Sequence, residues 1–216
     1  AETDRELAWQ INVTGPHNLA EAASRTNALL VHVSTDYVFD GKGNFPYTEK
    51  DDVNPQGYYG VTKLEGEKAV LNSGARAMII RTSWLYSSFG HNFVKTMRKY
   101  GAERGELRVV ADQKGTPTYA ADLAAAIMQI ITQYKGKSTE IYHYSNLGNT
   151  TWYGFATEII HLSGIDCKVH PISTEEYPLP APRPGYSVLN KNKIQNEFDL
   201  YIPEWQESLE KCIKLL

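Results

Sequence analysis

Apolar positions along the chain follow two spacings that alternate from one segment to the next. From Thr3 to Arg25, Leu7, Ile11, Thr14 and Asn18 fall three or four residues apart, the step that keeps side chains on one helix face. ALLVHVST (28–35) is instead an unbroken apolar, β-branched run, the pattern of a strand buried in a parallel sheet. A long loop punctuated by Gly41, Gly43, Pro46 and Pro55 leads to a helical stretch over 56–74 that closes on Gly74. A second buried strand is expected over 75–86, a helix over 92–105 and a short strand over 106–110. The alanine-rich segment 119–134 has apolar residues on several faces, so it predicts a mostly buried helix. A strand over 140–146, a helix over 151–164 capped by Thr150 or Thr151 and by Gly164, and a strand over 167–173 follow. Four prolines in 177–185 mark an extended loop, and helices over 191–198 and 203–216, the second with Pro203 in its first turn, end the chain.

Alternating strands and helices define an α/β class with a largely parallel sheet. The alternation loosens after Asp112, so residues 1–139 are expected to form the main sheet-bearing part. Residues 140–216 are expected to form mainly a smaller lobe, with some interleaving.

Composition narrows the function classes. With 216 residues, 42% apolar and 22% charged, the chain suits one substantial domain with or without a small appendage. A net charge of −3 supplies no general basic field for nucleic acid or an anionic membrane. No run reaches the length of a membrane span. The opening AETDRELAWQ is acidic and helical, unlike a signal peptide, and reads as the middle of a helix. Cys167 and Cys212 cannot build a disulfide framework, which suits a reducing cytoplasm. The six histidines show no metal-ligand spacing and read as structural, so no metal is expected from them.

The candidate chemistry lies at the strand ends, where parallel α/β sheets bind ligands. STDY closes the first strand and places Thr35 and Asp36 at the rim of a cleft; TSWLY closes the next and turns Trp84 toward it. Between them, Tyr59 and Lys63 are four apart at the start of a helix and share a face. A phenol titrates near pH ~10, and an adjacent ammonium would lower that value and make tyrosine a usable proton donor. Thr35 could orient the same oxygen. The pattern describes a ketone/alcohol site that needs a hydride, and no side chain supplies one, so a nicotinamide is implied. Asp36 also fits as a turn residue, Trp84 as core, and EKDD (49–52) as a solvated loop.

NVTGPHNLAEAA (12–23), VSTDYVFDG (33–41), YYGVTKLEGEKAV (58–70) and IIRTSWLY (79–86) resemble the extended short-chain dehydrogenase/reductases. Within them, FVKTM (93–97), DQKGTPTYAADLA (112–124) and RPGYSVLN (183–190) look like the dTDP-4-dehydrorhamnose reductases. The resemblance implies a Rossmann-like fold with helices on both sheet faces. It implies NAD(P)H-dependent reduction of the 4-keto group of dTDP-4-dehydro-L-rhamnose, a dTDP-sugar substrate and a cytoplasmic setting. A homodimer, and Mg2+ at its interface as in some members, come from the same source. By the same likeness Tyr59 is the proton donor, Lys63 tunes it and binds the nicotinamide ribose, and Thr35 polarises the ketone. Ser34 joins Tyr59 and Lys63 as cofactor-binding, Asp36 and Trp84 touch the sugar, and Asn12 supports Lys63 through water. Arg183 lies where relatives meet the nucleotide diphosphate. The aromatic set Tyr142, Tyr144, Trp152, Tyr153 and Phe155 reads as small-lobe packing, with thymine stacking by one of them left open.

The family's opening strand and glycine-rich phosphate turn have no counterpart here, since no helix opens directly after Gly41 and Gly43. The expectation is a truncated fold that keeps the catalytic and sugar-side half, leaves a sheet edge open and binds NADPH weakly or not at all. Two other readings stand beside the reductase. One is a non-catalytic module like the regulatory subunit of methionine adenosyltransferase, which carries a similar STDYVFDG but is expected to lack the tryptophan of RTSWLY. The other is an epimerase or a dehydratase; dehydratases place Asp-Glu where this chain has Asp36-Tyr37.

Overall fold

The computed structural model describes residues 1–178 and 181–216; Leu179 and Pro180 of the expected 177–185 loop lie outside the described residues. In chain order the first half contains α1 (Arg5–Trp9), a π-helical turn (Gln10–Thr14), α2 (Gly15–Thr26), β1 (Leu30–Thr35), α3 (Tyr58–Leu71), β2 (Ala77–Thr82), β3 (Leu85–Tyr86) and α4 (Phe93–Arg104). The second half contains β4 (Glu106–Val110), β5 (Lys114–Gly115), β6 (Thr118–Tyr119), α5 (Ala120–Gln133), β7 (Glu140–His143), β8 (Thr150–Thr151), α6 (Trp152–Leu162), β9 (Lys168–Ile172), α7 (Asn192–Phe198) and α8 (Trp205–Ile213).

β1, β2 and β7 form a parallel three-stranded sheet in that order. Side chains of a strand alternate between faces, and β2 shows the consequence. Met78 and Ile80 pack with Leu123, Ala126 and Ile130 of α5 and Ile194 and Phe198 of α7. Ala77 and Ile79 pack on the other face with Ala20 and Ala23 of α2 and Val70 of α3. Helices therefore cover both faces, as the α/β reading requires.

The 140–216 segment does not stand apart from the main sheet. β7, which opens the 140–216 segment, hydrogen-bonds to β2 in the main sheet, while β4 pairs with β9 in a separate parallel pair. β5 and β8 form a short antiparallel pair. Pro171 of β9 lacks an amide hydrogen, which a strand with only one partner tolerates.

Three expectations change. The strand expected over 75–86 breaks at Ser83 and Trp84: Trp84 takes a left-handed φ of 45°, and Leu85–Tyr86 leaves the sheet to pair with β6. α5 buries only Leu123, Ala126 and Ile130, while Ala121, Ala124, Ala125 and Met128 face outward. Its alanines reflect helix propensity rather than burial on every face. α8 begins at Trp205, because the Pro203 carbonyl is committed to the Leu147 amide at 2.8 Å before the helix starts.

Two close approaches fix the site's frame. α3 crosses the π turn at Gly66, where any Cβ would collide with the Asn12 carbonyl. Gly41, at φ 75°, lets Pro184 pack directly on the backbone, and its carbonyl accepts the Tyr186 amide at 3.0 Å. That glycine seats the loop carrying Arg183.

Candidate active site

Thr35 and Thr82 are register partners at the carboxyl ends of β1 and β2. A cavity of about 690 Å³ opens there, lined by Ser34, Thr35, Asp36, Tyr37, Tyr59, Lys63, Thr82, Trp84 and Arg183 among others. Every site residue expected from the sequence, apart from Asn12, lines this one cleft.

Tyr59 and Lys63 ride on the first turns of α3. Gly57 caps that helix without a side chain, and the Glu2 carboxylate instead accepts the Tyr59 amide at 3.2 Å. Lys63 Nζ donates to the Val33 carbonyl at 2.8 Å. Burial lowers its pKa, and the Glu67 carboxylate opposes that. Asn12 donates to Thr62 Oγ1 at 3.0 Å, and Thr62 donates to the Tyr59 carbonyl at 2.9 Å. Asn12 thus braces the turn between Tyr59 and Lys63 directly, through Thr62.

The expected lowering of the Tyr59 pKa by Lys63 is not what the geometry gives. Tyr59 keeps 37% of its surface open, yet the protein crowds its phenol enough that burial is the main influence and raises its pKa. The nearby Thr35 hydroxyl favours the phenolate, while the Asp36 carboxylate disfavours it. The Lys63 ammonium, which the sequence pairs with Tyr59, is drawn to the β1 backbone. There it helps hold His32, already desolvated, down to about 4. The phenol is therefore kept protonated.

Asp36 is 2% exposed. Thr35 Oγ1 donates to its Oδ1 at 3.0 Å. Ser187 comes near enough to favour the charge, but Oδ2 has no hydrogen-bond partner among the described residues. Burial dominates and raises the carboxyl to about 6. Tyr37 meets Tyr59 edge to face, with ring centroids 5.6 Å apart.

Trp84 forms the far wall. Its indole stacks on Trp152 at 3.7 Å and 11°, and Gly115 leaves the space beneath it, since a Cβ there would strike the Trp84 ring. Trp152 in turn lines a second cavity of about 1010 Å³ between α4, β4 and β9, together with Phe93, Met97, Tyr100, Arg104 and Arg108. Arg183 lines both cavities and lies 5.8 Å from the Trp152 ring. The sequence placed Trp152 with lobe packing. The two-residue β5–β8 pairing that brings it beside Trp84 leaves no periodic signal. Tyr37, Ser187 and Gly115 were missed as well.

Ser34 Oγ and Thr82 Oγ1, at the two strand tips, are buried without partners among the described residues. They can serve a ligand entering over the sheet. Among the described residues no three His, Cys, Asp or Glu side chains gather to hold a metal ion.

The family model described as RmlD substrate binding domain matches residues 1–216. A dTDP-4-dehydrorhamnose reductase of Sinorhizobium fredii is 41% identical over 221 residues, covering 99% of this chain and 75% of the relative. The crystal structure of a dTDP-4-dehydrorhamnose reductase of Clostridium acetobutylicum superposes with a TM-score of 0.93 at 48% identity, covering 99% of this chain and 75% of that one. The Bacillus anthracis dTDP-4-dehydrorhamnose reductase in complex with NADP gives 0.95 at 41% identity, with coverage of 100% and 76%. The chain thus spans about three quarters of the length of these relatives.

Proposed function

The chain belongs to the RmlD substrate-binding-domain family, and on that premise we propose that it reduces the 4-keto group of dTDP-4-dehydro-L-rhamnose to dTDP-L-rhamnose with NADPH. The observation that carries this reading is the meeting of Thr35, Tyr59, Lys63 and Trp84 around one cleft at the ends of β1 and β2. The relatives share the activity by name, and one of them holds NADP.

The strand tips fit a nicotinamide ribose: Ser34 and Thr82 offer hydroxyls unpaired among the described residues, and Lys63 lines the same cleft. When bound, NADPH supplies the hydride. The chain's own residues handle the carbonyl oxygen. Tyr59, kept protonated by burial, donates its phenolic proton as that oxygen gains charge. Trp84 gives the sugar an apolar wall. The larger cavity beyond the Trp84–Trp152 stack suits the nucleoside, and Arg183, shared by both cavities, suits the diphosphate between them.

The division near residue 139 into a cofactor side and a mainly substrate side belongs to the same reading, supported by Trp152 and Arg183 lying beyond it. A homodimer, with Mg2+ between the copies, rests on family resemblance alone; sedimentation with and without a chelator tests both. The free thiols of Cys167 and Cys212 support a cytoplasmic setting.

The decisive assay follows NADPH oxidation with dTDP-4-dehydro-L-rhamnose and identifies the product. Stoichiometric formation of dTDP-L-rhamnose supports the reading. Tight binding of both the sugar nucleotide and NADPH with no turnover would make the chain a binding module instead.

A further inference from the structure

A hydroxyl carries one hydrogen, and at Thr35 that hydrogen is already committed. Thr35 Oγ1 donates to Asp36 Oδ1 at 3.0 Å and accepts the Tyr37 amide at 3.2 Å. So arranged, Thr35 presents the cleft with a lone pair and no proton. A ketone oxygen beside it would meet an acceptor, which opposes polarisation.

The partner that holds this hydrogen is itself poorly placed to stay charged. Asp36 is sealed from solvent, and its Oδ2 has no hydrogen-bond partner among the described residues. The groups facing it are the Tyr37 and Tyr59 phenols, the Ser187 and Thr35 hydroxyls and the backbone amides of Asp36 and Tyr37; the hydroxyls and amides favour the charged form, and burial outweighs them. The cations of the same cleft, Arg183 and Lys63, make no ion pair with it. Burial without a counter-charge favours the neutral acid.

We propose that Asp36 is a positioning residue whose proton decides what Thr35 can do. With a proton on the carboxyl, Asp36 donates to Thr35 Oγ1 and frees the Thr35 hydrogen for the substrate's carbonyl oxygen. Ionised, it takes that hydrogen back. No bond to carbon changes, and the proton only moves the direction of one hydrogen bond. The inference rests on the reductase reading and deepens it, because Asp36 then acts on the reaction through Thr35. The rise of its carboxyl to about 6 puts the switch in an accessible range.

The test is the pH profile of kcat for the wild type, Asp36→Asn, Thr35→Val and the double variant, with NADPH and dTDP-4-dehydro-L-rhamnose. In Asp36→Asn the introduced amide donates to Thr35 at every pH. Wild-type kcat should fall as pH rises above 6, approaching about tenfold per unit. Asp36→Asn should stay flat over that range, and Thr35→Val should be slower but equally flat. Adding Asp36→Asn to Thr35→Val should change nothing further. A falling limb that persists unchanged in Asp36→Asn, or in Thr35→Val should Asp36→Asn not fold, overturns the inference. So does an effect confined to KM, which would mark a sugar contact. Tyr59→Phe separates the two levels: normal turnover in that variant defeats the reductase reading itself, whereas an inactive Tyr59→Phe beside an unflattened Asp36→Asn defeats only the switch.

Discussion

Arg81 and Glu67 form an ion pair inside the protein, with side chains 3% and 1% exposed. The alternation of β2 turns Arg81 toward α3. Its Nε donates to the two Glu67 oxygens at 3.0 and 3.2 Å, and its Nη2 donates to Oε2 at 2.7 Å. The guanidinium also lies 5.2 Å from the Phe39 ring, while Nη1 has no partner among the described residues. Glu67→Leu would leave a buried cation with one weak aromatic contact and no anion. Breaking such a pair from one side destabilises by roughly 3–5 kcal/mol, a large share of a total near 5–15 kcal/mol. With a urea slope of about 2 kcal/mol/M, the unfolding midpoint should drop by roughly 2 M. The double variant Arg81→Met/Glu67→Leu removes both charges and should recover most of that loss. Urea titration followed by tryptophan fluorescence measures all three proteins. A Glu67→Leu midpoint within about 0.5 M of wild type, or a double variant less stable than Glu67→Leu, would refute the reasoning. Because Glu67 supports the charge on Lys63 one turn away, the single variant should also lower the Lys63 pKa.

Gly66→Ala puts a methyl group into the Asn12 carbonyl, so α3 must shift; a loss of roughly 1–3 kcal/mol in thermal unfolding, with lower kcat because Tyr59 and Lys63 move with the helix, is expected. Trp152→Ala removes the stacking partner of Trp84, and its expected effect is a KM for the sugar nucleotide raised by up to about tenfold, read from initial rates. His143 is fully buried, its Nδ1 hydrogen donated to the Tyr47 carbonyl, and burial followed by the Arg81 charge lowers it to about 3. The unfolded chain then takes up a proton on this histidine below pH ~6.5 that the folded chain refuses, so its stabilising effect is complete above that pH and fades as pH falls toward 3. It should cost about 2 kcal/mol between pH 7 and pH 5 in urea midpoints, and His143→Gln should lack this component.

The sequence made the strand tips legible for a physical reason. An apolar β-branched run ending in STDY can only be a buried strand whose polar end leaves the core, and the same holds for the run ending in TSWLY. Parallel strands put those ends together, so Thr35, Tyr59, Lys63 and Trp84 could be grouped without coordinates. The direction of individual hydrogen bonds could not be read this way. Lys63 turns to the Val33 carbonyl, and Asn12 reaches Thr62, because backbone acceptors and neighbouring hydroxyls offer no residue pattern to recognise. Trp152 escaped because its place depends on pairing between residues 114–115 and 150–151, too short to show alternation. The amphipathic character of α5 was hidden because alanine suits either environment.

The central claim is that the Tyr59 phenol delivers the proton. Its sharpest test is single-turnover NADPH oxidation by Tyr59→Phe beside a measurement of dTDP affinity. Removing a general acid should slow the reduction by about 10²–10⁴ while leaving the affinity unchanged. Reduction at the wild-type rate by the phenylalanine variant would contradict the account.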